Sequence, residues 1–116
     1  MNEQFSTLVN QMIDNFKNQS KENIKNMIHS YFLYSSTDSM KMVLSHKNLR
    51  FPTIEICTSN KTYKYMINHE CFYYGNVKIE YPETEEEHLT LMMEYDIIIC
   101  TELMNLIDII IEAFYE

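Results

Sequence analysis

Apolar residues recur at helical spacing over the first third of the chain and at strand spacing over the middle. Phe5, Leu8, Val9, Met12, Ile13 and Phe16 fall at i, i+3, i+4, i+7, i+8 and i+11. That is one face of an amphipathic helix, and it predicts a helix over residues 3–18. Ser20 stands where an N-cap belongs, and Ile24, Met27, Ile28, Tyr31 and Phe32 repeat the spacing, so a second helix is predicted over 21–34. The polar run Ser35-Ser36-Thr37-Asp38-Ser39 then breaks the helical period.

From there the pattern alternates. Residues 40–45 read as a first strand; Ile54 and Ile56 alternate with Thr53, Glu55 and Cys57 in a second, since Phe51-Pro52 disfavours helix at residue 51. Ser59-Asn60-Lys61 reads as a turn into 62–67, where Tyr63, Tyr65 and Ile67 share a face. Residues 71–74 and 77–81 flank Gly75-Asn76, the only glycine, where a two-residue hairpin turn requires positive φ. The expected middle is an antiparallel meander of about four or five strands.

Pro82 ends the last of these strands. Thr84 with Glu87 fits the capping box, and Glu85 and Glu86 fall in the first turn, where carboxylates interact favourably with the helix dipole. On a helical wheel Glu87, Glu94, Thr101, Asn105, Asp108, Glu112 and Glu116 form one stripe, opposite Leu89, Met92, Ile99, Leu103, Leu106, Ile107, Ile110 and Phe114. One helix over 85–115 satisfies this pattern. It would be about 46 Å long, against a radius of gyration near 13 Å for a compact domain of this size. The helix therefore breaks near 95–100, protrudes, or is covered by a second subunit. Leu89, Leu91, Met93 and Tyr95 also alternate, which leaves a strand before a shorter helix from about 97 as an alternative. The fold class expected is α+β: two N-terminal amphipathic helices, the meander, and a long C-terminal helix with a break near 95–100 as its variant. All 116 residues are assigned to a single domain.

Composition sharpens this picture. A hydrophobic content of 46% fits a folded protein. The start MNEQFSTLVNQM lacks the basic and long apolar segments of a secretory signal, and the apolar stretch 97–111 is interrupted by Glu102 and Asp108. Cys57, Cys71 and Cys100 are an odd number at wide spacing, which fits free thiols in a reducing compartment. A cytoplasmic, non-membrane protein is expected. The richness in Asn, Ile, Lys and Tyr, encoded by AT-rich codons, suggests an AT-rich genome, and a short, acidic, motif-poor protein from such a source could be a viral or mobile-element inhibitor.

The net charge of −8 is unevenly spread. Residues 1–50 hold six bases (Lys17, Lys21, Lys25, Lys41, Lys47, Arg50) against four acids (Glu3, Asp14, Glu22, Asp38), whereas residues 79–116 hold eleven acids and no Lys or Arg. A one-sign segment disfavours direct nucleic-acid binding and favours a basic partner.

Motifs for chemistry are weak. A single glycine argues against a phosphate-binding loop, and no G-x-S-x-G is present. His69 and Cys71 would share a strand face and, with His46 or His88, offer metal-ligand types without paired spacing. Glu83, Glu87 and His88 could do acid–base work only if burial shifted a pKa. His29 adjoins Tyr31 and Phe32 and reads as structural. Tyr63, Tyr65, Tyr73, Tyr74 and Tyr81 lie on the expected sheet, where stacking of bases needs a basic surround; Lys61, Lys64 and Lys78 are offset by Glu55, Glu70 and Glu80. No catalytic residue, metal or cofactor is expected.

The resulting expectation is a non-enzymatic, acidic protein-binding module. Glu80, Glu83, Glu85, Glu86, Glu87, Glu94 and Asp96 would occlude a basic surface of another protein, a nucleic-acid-binding enzyme being the model case, as a stoichiometric inhibitor and local nucleic-acid mimic. The alternative is a self-associating structural or regulatory subunit, a homodimer through Ile98, Ile109 and Phe114.

Overall fold

The computed structural model of the chain describes residues 2–30, 32–37, 39–47 and 50–116, with side chains at all of these except 2 and 32–37. Tyr31 and Asp38, assigned above to the second helix and to the polar break, lie outside the described residues.

The first helical face folds as expected. α1 spans Asn2–Phe16 and buries Phe5, Leu8, Val9, Met12 and Phe16. α2 spans Lys21–His29, and the Ser20 hydroxyl accepts the Asn23 N–H at 3.1 Å as its N-cap. This helix stops earlier than residue 34. Ser30 closes it by donating its N–H to Asn26, and β1, Phe32–Thr37, pairs antiparallel with β2, Met40–Ser45. Pairing satisfies the main chain of one edge of β2, and the run Phe32-Leu33-Tyr34 has the aromatic character that strands favour.

β3 (Thr53–Thr58), β4 (Thr62–Ile67), β5 (Cys71–Tyr74) and β6 (Val77–Glu80) complete the meander, in the order β1-β2-β3-β4-β5-β6. The sheet thus has six described strands, β1 being added to the five read from alternation. Gly75 has φ +62° in the β5–β6 turn, the left-handed conformation that glycine adopts without Cβ strain. One sheet face packs Met42, Leu44, Ile54, Ile56, Tyr65, Ile67 and Phe72 against the helices. The other carries Lys41, Glu55, Lys64, Tyr73 and Lys78, with Thr53 buried among them and hydrogen-bonded to Ser45.

The C-terminal region is two helices, not one. α3 spans Glu85–Tyr95 and α4 spans Thr101–Tyr115. Asp96 takes the left-handed conformation (φ 50°, ψ 51°) that ends α3. Ile97, Ile98 and Ile99 then run through the core, 3%, 4% and 1% exposed. The Tyr65 hydroxyl fixes this crossing: it donates to the Ile98 carbonyl at 2.5 Å and accepts the Ile98 N–H at 3.0 Å. Burial raises the Tyr65 pKa, so the hydroxyl stays protonated and can do both. The break thus removes the overhang of a continuous helix and turns α4 back onto α1 and α2, with Leu103, Leu106, Ile107 and Ile110 buried.

Candidate functional site

The acidic residues picked from the sequence collect around α3 and its approach. Glu80 ends β6, Glu83 precedes the helix, Glu85, Glu86 and Glu87 form its first turn, and Glu94 lies in its last; all are exposed. The capping pattern is realised with a shift of one residue. The Thr84 hydroxyl accepts the Glu87 N–H at 3.2 Å, and Glu87 Oε2 accepts the N–H of Glu83, not that of Thr84, at 2.8 Å. Glu87 is therefore held in place, while Glu85 and Glu86 make no ion pair among the described residues.

Asp96 differs from the rest. Lys61, delivered by the β3–β4 turn, donates to its carboxylate at 2.5 Å and to its carbonyl at 2.8 Å. Pairing with Asp96 raises the Lys61 pKa. A segment without bases in sequence thus acquires one in space, and Asp96 serves chiefly as the αL terminus of α3.

No residue of α3 is buried. Leu89 is 57% exposed and Met93, one turn on, is 86% exposed. Leu89, with Met92, lines a groove of about 290 Å³ between α3, the start of α1 and residues 98–102. Phe5, Ile98 and Ile99 form its apolar floor, while Glu85 and Glu102 bring carboxylates and no Lys or Arg lines it. His88 also lines it, with an Nε2 that is shielded from water and has no hydrogen-bond partner. Sequence periodicity missed this site because the wheel put Leu89 on the buried stripe with Met92, and only Met92 packs against the core. The low amphipathicity of residues 85–95 taken alone was the available signal.

The candidate ligand set is not assembled. His46 stacks obliquely on His29 (centroids 4.9 Å apart), His69 lies 5.5 Å from the Tyr115 ring and His88 is on α3. Among the described residues no group of three or more His, Cys, Asp or Glu is placed to hold a metal. All three cysteines are free; burial pushes the Cys100 thiol up to about 11, which makes it a poor nucleophile at neutral pH.

His46 supplies a pH dependence. Burial lowers its pKa below 6.5, aided by repulsion from His29 and Lys25 and opposed by the Arg50 main chain; its Nδ1 has no partner and Phe114 covers it edge-on at 5.0 Å. A base with a lowered folded pKa binds its proton more readily in the unfolded chain. Its contribution is therefore full above the ordinary value of 6.5 and is lost as pH falls from there through the folded pKa. Urea midpoints measured from pH 8 to pH 5 should fall on the acid side of 6.5, and the fall should be smaller in His46→Gln. An equal fall in both proteins would assign the dependence elsewhere.

The residues considered for dimerisation are occupied within the chain. Ile98 is buried under Tyr65, Ile109 is half-buried against the core, and Phe114 packs on His29 and His46 with Lys25 Nζ 5.8 Å from its ring centre. Of these, Ile98 is taken up by the core and Ile109 and Phe114 are partly covered, while Leu89 and Met93 on α3 stay exposed.

The fold and site define an α+β protein with an acidic, partly apolar surface helix. Comparison of the chain with protein-family models, curated proteins and solved structures gave no match. Among the described residues no helix is long and apolar enough to cross a membrane.

Proposed function

We propose that this chain is a non-catalytic binding module that covers a basic surface of another protein with the acidic face of α3 and its approach, acting as a stoichiometric inhibitor. The observation that carries this reading is the helix itself: α3 gives no buried residue to the core and carries Glu85, Glu86, Glu87 and Glu94 in the open. The helix rests on the core through the half-buried Leu91, Met92 and Tyr95, and its glutamates remain free for a partner. Over eleven residues, about 16 Å, four glutamates give roughly one charge per 4 Å, close to the 3.4 Å of a single nucleic-acid strand and far from the 1.7 Å of a duplex. The surface suits a protein whose basic site normally takes a strand or a local phosphate patch, such as a nucleic-acid-binding enzyme.

The test uses tagged protein as bait in nuclease-treated lysate of its native or host cell, washed at low and high salt. A basic nucleic-acid-binding protein should be retained at low salt, released at high salt, and lost with Glu85→Lys, Glu86→Lys and Glu87→Lys combined. Retention unchanged by the triple substitution would reject the acidic face as the contact.

A further inference from the structure

We propose that the groove between α3, the start of α1 and residues 98–102 seats an apolar side chain of a basic amphipathic helix belonging to another protein. This rests on the acidic-face reading and adds an apolar anchor to it. Leu89 lines the groove with Met92 and leaves much of its apolar surface in water, beside a floor of Phe5, Ile98 and Ile99. A volume of about 290 Å³ lies at the bottom of the range of about 300–1000 Å³ that small-molecule sites occupy, and suits one or two side chains.

Charge and backbone then select the occupant. Glu85 and Glu102 line the groove, Glu86 lies beside Glu85, and no lining residue is Lys or Arg, so an apolar residue flanked by bases is complementary. A second copy presenting this face would set carboxylate against carboxylate. An extended peptide would seek main-chain partners along a free strand, but the groove is walled by helices, and at residue 98 both main-chain groups are engaged by Tyr65. A helix satisfies its own main chain and presents anchors at i, i+3 or i+4 and i+7, the same spacing at which Glu85, His88, Leu89 and Met92 line the groove.

The full chain, labelled with nitrogen-15, is titrated with three synthetic peptides of equal length and charge. One is lysine–leucine with leucines on a single helical face; one has the same composition with leucines scattered; one is lysine–serine. The amphipathic peptide should bind about tenfold more tightly than the scattered one and shift the amides of Phe5, His88, Leu89 and Ile99. Leu89→Gln, at an exposed position where folding is retained, should remove that advantage while binding of lysine–serine persists. Equal binding of the two leucine peptides, or no effect of Leu89→Gln, would overturn the groove and leave the acidic face standing. If none of the peptides binds, the acidic-face reading and the groove both fall.

Discussion

Replacing Tyr65 with phenylalanine should cost about 2 to 4 kcal/mol of stability, far more than the loss of one oxygen from a surface tyrosine. The hydroxyl is the partner of both main-chain groups of Ile98, 2.5 Å from the carbonyl and 3.0 Å from the N–H, at a residue only 1% exposed. Phenylalanine fills nearly the same space but leaves a donor and an acceptor buried without partners, each costing about 1 to 3 kcal/mol. Tyr63 lies two residues earlier on the same face of β4 without such a main-chain bridge, so Tyr63→Phe should change stability by no more than about 0.5 kcal/mol. Urea unfolding followed by far-ultraviolet circular dichroism measures both. Equal small losses would mean that water replaces the hydroxyl or that the crossing is held by its isoleucines alone.

Most of this architecture is written in local patterns. The buried face of α1 is five of the six residues that helical spacing selects, with Ile13 half-buried, because a helix on a core has one solution for its apolar stripe. β2 to β6 follow from alternation and punctuation, with Pro52, the 59–61 turn and Gly75 fixing where strands begin and end. β1 was hidden because Phe32-Leu33-Tyr34 extends a plausible helical register. What decides it is the free edge of β2, a non-local partner that a local period does not contain.

The break before α4 was expected near 95–100 from helix length, but only as one of three outcomes, because the local period does not choose among them. Three consecutive isoleucines fit a helix buried on several sides, and they fit equally well an extended segment covered on both sides by helices and sheet. The choice depends on Tyr65, thirty-three residues away in sequence, and on Asp96 accepting a left-handed conformation beside Lys61. The acidic character of the candidate site was plain in the sequence; its geometry was not. Once the chain turns at residue 96, α3 no longer shares a wheel with α4, and Leu89 is released from the core it was assigned to while Met92 stays half-buried against it.

That separation yields the sharpest contrast between two residues of one groove. Leu89 and Ile99 fall on the same apolar stripe of a continuous helix and would then cost comparable amounts to truncate. In the observed fold Ile99 is 1% exposed in the crossing segment, whereas Leu89 is 57% exposed on a helix with no buried residue. Ile99→Ala should therefore destabilise by about 2 to 5 kcal/mol, through lost burial and the cavity left beneath the groove. Leu89→Ala should stay within about 0.5 kcal/mol, since little apolar surface is returned to water and alanine is a good helix former. Thermal and urea unfolding of the two variants measure the difference directly. Comparable losses would place Leu89 in the core and close the groove; a large loss at Ile99 alone leaves Leu89 conserving no stability of its own chain, free to be buried by a partner.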